Sequence, residues 1–353
     1  MDKVRIGIIG VGGIANRVHI RQLLEVKAAS IVAVCDIDPQ NLNSTADKLG
    51  LPAEKRYTDY RQLIDDPEVD AVEICTSNDM HVEMAVYAIK AGKHVNVEKP
   101  ISTDCSTLPP LQEALKNVDQ DKQVCMTCFS YRFYPAVQYA KDLIAQGGLG
   151  KIINVSVEYM KNSGLWKGRP MEWRFIKEQA GTGVLGDLGV HLVDMVRLLI
   201  SDIDAVVAHT GIVIKERPFP NSTEIGTVET DDFCTFLARL KNGTMANFSI
   251  SRCALGEKNT IRFDIYGTRG MMSLDLNHPK VMRVCYAGDD PGSAQMEVLD
   301  VPEAYNIMQE EAFVKAILGE KVKHFPTIDD AIECQRILDA ALLSSQIHAW
   351  VTL

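Results

Sequence analysis

The feature that most constrains this chain is a glycine loop set between a short apolar run and the start of a helical pattern. Residues 4–9 form a β-branched run, and Gly10-Val11-Gly12-Gly13-Ile14-Ala15 follows at once. In a G-x-G-x-x-A arrangement the first glycine permits a tight turn and the second lets the main chain approach a pyrophosphate. The small last residue keeps the helix close to the strand. Free N–H groups and the dipole at the helix start favour the anion. Gly10, Gly12, Gly13 and Ile14 are therefore candidate dinucleotide contacts. A second β-branched run at 31–36 ends in Asp36, 24 residues after Gly12. A carboxylate there hydrogen-bonds a ribose diol and repels a 2′-phosphate, which favours NAD over NADP. The plainer alternative is a tight strand-to-helix turn beside a surface Asp.

Further β-branched runs fall at 69–76, 94–98 and 124–129, with helical periodicity at 13–26, 39–49, 80–91 and 110–118. Apolar, non-alternating strands between helices predict an α/β domain over 1–125, a doubly wound parallel sheet covered on both faces. After Gly147-Gly148 the texture changes. Strand-like runs at 152–159, 205–214, 233–240, 244–250, 261–266, 271–274 and 281–286 are separated by turn signals such as Asn242-Gly243. With helices at 184–199, 305–318 and 328–348, residues 126–353 read as an α+β domain on a large, mostly antiparallel open sheet. The stretch 215–230 reads as a surface loop. A chain of 353 residues, 46% hydrophobic and 24% charged, has the size and composition of two globular domains.

Net charge of −10 argues against a nucleic-acid partner or an anionic membrane surface. No apolar run approaches the roughly 18 residues of a membrane helix. Nine cysteines without a small-domain framework suit reduced thiols and a cytoplasmic address. Cys125 and Cys128 match C-x-x-C but lie within a predicted strand, where side chains three apart point to opposite faces, so they read as core. No group of His, Cys and carboxylates has metal-ligand spacing.

Two motifs carry candidate chemistry. Glu98-Lys99-Pro100 ends a buried strand at its carboxyl edge, where ligands sit in a doubly wound sheet. A Lys there can stabilise a developing alkoxide; the alternative is a snorkelling Lys at a strand end. Further on, a glycine-rich stretch at 181–189 runs into a helical pattern. Asp187 and His191, four residues apart, are expected to share a helix face that Asp194 continues. An acid beside a His orients the ring for proton transfer near neutral pH, although such pairs also serve structure alone.

Taken in order, the G-x-G-x-x-A loop, Thr76-Ser77-Asn78 with His81, Glu98-Lys99-Pro100 and the D-x-G-x-H-x-x-D helix resemble the Gfo/Idh/MocA oxidoreductases. The resemblance extends over nearly the whole chain. It implies an N-terminal Rossmann domain and a catalytic set of Lys99, Asp187 and His191. It also implies cofactor contacts from Thr76, Asn78, His81, Glu98 and Lys99. Ser77 stands where the family's motif has Pro. The implied activity is NAD(H)-dependent hydride transfer to or from a secondary alcohol of a sugar or inositol-like polyol, in a homodimer or homotetramer. A keto-sugar nucleotide reductase recruiting Arg132, Lys167 or Arg169, an NAD-dependent glycosidase and a non-catalytic NAD sensor are the alternatives. Arg132, Trp166, Trp173 and Arg174 are candidate substrate contacts, with a domain interface as their other reading.

Overall fold

The computed structural model of the chain describes residues 3–119, 121–166, 168–287, 292 and 294–353. It divides into two compact units, Met1–Phe129 with Ile307–Ile332, and Ser130–Asn306 with Glu333–Leu353.

The first unit is built on strands β1 (Val4–Ile9), β2 (Ala29–Cys35), β3 (Arg56–Tyr57), β4 (Ala71–Ile74), β5 (His94–Val97) and β6 (Cys125–Thr127). All pair in parallel, in the order β3-β2-β1-β4-β5-β6. This is the doubly wound Rossmann arrangement. Helix Pro39–Leu49 shows how local chemistry sets the boundaries. The Asp38 side chain accepts the Gln40 N–H, Pro39 occupies the first turn, and Gly50 ends the helix at φ 67°. Within the mostly apolar inner strands, Glu73 and Asn96 stand side by side in the β4–β5 register and are fully buried.

The sequence reading ran the second domain unbroken from 126 to 353. Instead, Ile307–Ile332 belongs to the first unit. Helix Gln309–Ile317 buries Phe313 and Glu310 there, and Thr327 bridges Met126 at the sheet edge.

The second unit carries a nine-stranded sheet. Its strands are β7 (Ile152–Met160), β8 (Ile203–Gly211), β11 (Phe233–Leu240), β12 (Met245–Ser251), β13 (Thr260–Gly267), β14 (Gly270–Asp275), β15 (Val281–Tyr286), β16 (Glu297–Asp300) and β17 (Val351–Thr352). They run in the order β16-β15-β14-β13-β7-β12-β11-β8-β17, antiparallel throughout except for the β7–β12 pair. Strict alternation along β11 buries Cys234, Phe236, Ala238 and Leu240 and leaves Thr235, Leu237 and Arg239 facing out. Phe236 stacks on Phe248 at 4.0 Å on the covered face, where helix Val190–Leu199 packs. The expected surface loop at 215–230 instead holds a short hairpin, β9 (Glu216–Pro218) and β10 (Ile225–Thr227). Its anchor is Arg217, buried with its guanidinium 4.4 Å from the Phe175 ring.

Candidate active site

In the first unit, β1 delivers the chain into the glycine loop. Gly10 has φ 84°, and a Cβ there would stand 2.8 Å from the Cys75 carbonyl oxygen, so only glycine makes this turn. At Gly12, by contrast, nothing lies within 4 Å of where a Cβ would stand. The Asn16 amide donates to the Val11 carbonyl at 2.6 Å and to the Gly12 carbonyl at 3.1 Å, fixing the loop from below. No side chain caps the start of the π-helical turn Ala15–His19 that follows, which leaves its N-terminal end open to an anion. The Asp36 carboxylate is held at the end of β2 by the Val11 N–H at 2.9 Å and the Asp38 N–H at 2.8 Å. An open cradle above Gly12 beside a fixed carboxylate fits a dinucleotide pyrophosphate and its ribose. Gly10, Gly12, Gly13, Ile14 and Asp36 are the residues that could hold it.

Other expected cofactor contacts are placed differently. His81 is buried, with Nδ1 2.8 Å from the Pro100 carbonyl and Nε2 3.2 Å from the Thr76 carbonyl. Burial pushes its pKa down. The ring therefore ties the Thr76 turn to the Lys99-Pro100 turn instead of facing a ligand. Glu98 is likewise turned inward. One carboxylate oxygen lies 2.9 Å from His19 Nε2 and the other accepts the Lys99 N–H at 3.0 Å. Thr76 packs beside Gly10, and Asn78 opens a short turn at the head of helix His81–Lys90. The Lys99-Pro100 peptide is cis.

Spacing in the sequence disclosed no metal-type cluster, yet the fold gathers two buried donor sets, His19–Glu73–Cys75 and His19–Glu98–Cys128. The donor atoms of each lie within 4.8 Å of one another. Cys125 and Cys128 are free thiols. Burial pushes the Cys125 thiol up to about 12 and the Cys128 thiol well above its ordinary value, so neither is a reactive thiolate.

In the second unit, Asp231 organises the approach to the Asp/His helix. Its carboxylate accepts the Gly183 N–H at 2.6 Å and the Leu185 N–H at 2.9 Å, and its carbonyl accepts the Val184 N–H at 3.0 Å. A Cβ on Gly183 would collide with that carbonyl. Asp187 lies in a π-helical turn, Leu185–Gly189, ahead of helix Val190–Leu199. The regular α-helical stacking expected of residues four apart is therefore modified at this point. His191 is buried with its ring 4.5 Å from the Tyr131 ring. The Tyr131 hydroxyl meets the Tyr159 hydroxyl at 2.8 Å, and Tyr159 donates to Asn259 Oδ1 at 3.2 Å. Burial raises the pKa of both tyrosines, and the Asp187 charge adds to the effect, so both are neutral hydrogen-bonding groups. Sequence reasoning missed this line of hydroxyls. Its one local signal was Tyr131 beside the Arg132 that had been singled out.

Arg132 was expected at the substrate side. It is buried instead, with Nε 2.8 and 3.0 Å from the two carboxylate oxygens of Asp194 and Nη2 closing the fork. The pair fastens the 130–133 turn to the Asp/His helix. Trp166 is 66% exposed, and the Arg174 guanidinium lies 4.3 Å over the half-buried Trp173 ring.

A parallel sheet ending in a dinucleotide cradle, followed by a unit that carries Asp187 in a π-helical turn and His191 on the helix after it, defines a two-domain NAD-binding oxidoreductase. Comparison with known proteins agrees. A family described as "Oxidoreductase family, NAD-binding Rossmann fold" matches residues 4–129, and "GFO/IDH/MocA C-terminal domain" matches residues 137–273. A levoglucosan dehydrogenase from Pseudarthrobacter phenanthrenivorans is 28% identical over 99% of this chain and 98% of its own length. A glucose-6-phosphate 3-dehydrogenase from Bacillus subtilis is 32% identical over 79% of this chain and 77% of its own. The solved structure of levoglucosan dehydrogenase in complex with NADH and levoglucosan matches with a TM-score of 0.89 at 28% identity, covering 99% of both chains. The chain belongs to the Gfo/Idh/MocA oxidoreductase family. No helix among the described residues is long and apolar enough to cross a membrane.

Proposed function

We propose that this protein is an NAD(H)-dependent dehydrogenase that oxidises a secondary alcohol of a sugar or cyclic polyol, and catalyses the reverse reduction. The observation that carries this reading is the open space above Gly12 beside the pinned Asp36 carboxylate. It is supported by the activities named for its relatives, which include a levoglucosan dehydrogenase and a myo-inositol 2-dehydrogenase.

In this reading His191 removes the substrate's hydroxyl proton and Asp187 orients its imidazole. Lys99 donates to the same oxygen as negative charge develops there. Bound NAD supplies the carbon that accepts the hydride. Trp166, Trp173 and Arg174 are assigned to the sugar, through ring stacking and donation to hydroxyls. Arg132 is not, because its guanidinium is committed to Asp194. That commitment also weighs against a sugar-nucleotide diphosphate site, since Arg169 is taken up by Glu172 at 3.0 Å. Lys167, the third residue considered for that site, lies outside the described residues.

Asp36 supports NAD over NADP, because a 2′-phosphate would meet a carboxylate already fixed by two N–H groups. The outward face of the nine-stranded sheet, with Ile153, Leu237, Met245 and Tyr266 exposed, supports a homodimer or homotetramer. Free cysteines throughout support a cytoplasmic address.

The test is a screen of levoglucosan, myo-inositol, glucose 6-phosphate and sugar nucleotides against NAD and NADP, following NADH absorbance. Turnover on a free sugar or polyol is expected, with His191→Ala losing turnover far more than NADH affinity. Free sugar released without NADH would point to a glycosidase. Tight NADH binding without turnover on any compound would point to a sensor.

A further inference from the structure

The most unusual chemistry in the first unit lies beneath the Glu-Lys-Pro turn. His19 is fully buried, with Nε2 2.9 Å from Glu98 Oε1 and Nδ1 2.9 Å from Glu310 Oε1 and 3.3 Å from Glu73 Oε2. The Asn96 amide donates to Glu73 Oε2 at 2.8 Å, and the Gln309 amide donates to Glu310 Oε1 at 2.9 Å. Glu73 Oε1 is buried without a hydrogen-bond partner. The titratable groups facing the ring are Glu73 and Cys75 at β4, Glu98 at the end of β5, Cys128 just past β6, and Glu310 on helix Gln309–Ile317.

Charge balance decides the state of this cluster. Burial, then the Glu310 charge, pushes Glu73 well above the carboxylate range, so it keeps its proton. Burial alone would lower the His19 pKa, but the Cys75, Glu310 and Cys128 groups around it outweigh that and hold it well above the ordinary histidine range. Burial pushes the Cys75 thiol up to about 11. Glu98 and Glu310 resist the effect of burial through His19 and stay below the usual carboxylate range. The His19 ring therefore sits between two carboxylates, with Nε2 hydrogen-bonded to Glu98 and Nδ1 within ion-pair distance of Glu310 but without a hydrogen-bond partner. The second oxygen of Glu98 holds the Lys99 N–H at 3.0 Å.

We propose that His19, braced by Glu310, is a positioning residue for Lys99. It fixes Glu98, and Glu98 fixes the main chain from which the Lys99 amine is presented to the substrate oxygen. This rests on the role given to Lys99 under Proposed function. A bound divalent cation is the competing occupant of the same donors. The 2.9 Å bond between His19 Nε2 and Glu98 has the length of a charge-assisted hydrogen bond, which favours the proton-filled state.

The experiment compares wild type, His19→Ala, His19→Gln, Lys99→Met and the double variant His19→Ala/Lys99→Met. Displacement of a catalytic group by a fraction of an ångström costs about 10- to 100-fold in turnover. His19→Ala is expected to lose kcat on that scale with KM for NAD within about threefold. His19→Gln, which keeps one donor for Glu98, is expected to recover part of it. In the Lys99→Met background the same His19→Ala change is expected to cost less than about twofold, because the group being positioned is gone. Amide hydrogen exchange, read on the protein without substrate, is expected to quicken at the Lys99 peptide and not along β1.

Equal losses with and without Lys99 would make His19 merely structural and overturn the proposal, as would unchanged exchange at Lys99 in a folded His19→Ala protein. Stoichiometric zinc in the purified wild type, lost in His19→Gln, would overturn it in favour of a metal site. Full turnover by Lys99→Met would sink the catalytic role of Lys99, and the exchange measurement would still decide whether His19 holds that main chain.

Discussion

Replacing Gly12 by alanine separates two properties that a glycine loop usually confounds. The protein itself has no use for a missing side chain at this point, since nothing lies within 4 Å of the added Cβ and Gly12 is not among the positive-φ glycines. Alanine is conformationally compatible there and restricts the unfolded chain, so stability should change by no more than about 1 kcal/mol, in either direction. In a protein of this size that is a Tm shift of about 2–4 °C at most. The cradle is affected differently. A methyl group where the pyrophosphate must approach displaces it from the main-chain N–H groups, and each charge-assisted hydrogen bond lost is worth about 1.5–3 kcal/mol. NADH affinity should therefore fall about 10- to 150-fold for one such bond. Gly10→Ala should do the reverse in order of severity. Its φ of 84° and the Cys75 carbonyl 2.8 Å away impose a backbone cost of at least about 1–2 kcal/mol before any ligand is added. The assays are thermal unfolding without ligand and NADH fluorescence titration. Wild-type NADH affinity in Gly12→Ala, or a loss of stability there as large as in Gly10→Ala, would refute the reasoning.

Three further outcomes follow from the same structure. Asp36→Ser should raise the NADP-to-NAD ratio of kcat/KM by about tenfold or more, the equivalent of about 1.4 kcal/mol of relieved repulsion, measured by steady-state kinetics with both cofactors. Arg132→Met should cost about 3–5 kcal/mol by stranding the buried Asp194 carboxylate, and the double change with Asp194→Leu should recover most of the lost Tm. Stability should fall on both sides of neutrality. Glu98 and Glu310 have depressed pKa values when folded, so their contribution is present above about pH 4.3 and is lost as pH falls through the folded values. His19 has a raised one, so its contribution is complete below about pH 6.5 and is lost as pH rises through the folded value. Thermal unfolding across pH checks this, and the alkaline slope should flatten in His19→Gln.

What was legible in the sequence is what local chemistry determines. Strands at 4–9, 233–240 and 281–286 and the helix at 39–49 lie where their patterns put them, because apolar runs, an Asx cap and a terminal glycine act over a few residues. The glycine cradle with Asp36 was legible for the same reason, since the motif is itself the geometry. Interactions between distant residues were not. Glu73 was hidden inside an apolar run, and its cluster joins His19 to Glu98 across 79 residues and Asn96 to Glu310 across 214. The same separation in sequence concealed the return of Ile307–Ile332 to the first unit. Arg132 and Glu98 looked like site residues because they are charged and sit beside site motifs, whereas each holds a buried partner of opposite charge. The hairpin at 216–227 lacks a strong strand pattern of its own and depends on Arg217 lying against Phe175. Helix Pro135–Ala145 was missed although Ala136, Val137, Ala140, Leu143 and Ile144 recur at helical spacing.

The central claim is that hydride leaves a carbinol carbon of a sugar or polyol while His191 takes the hydroxyl proton. Levoglucosan and myo-inositol carrying deuterium on their carbinol carbons test it directly, with the reduced nicotinamide product examined by mass spectrometry. One deuterium per reduced nicotinamide is predicted for wild type, together with loss of the labelled product in His191→Ala while NADH binding persists. Reduced nicotinamide without deuterium, or undiminished labelling in His191→Ala, would contradict the account.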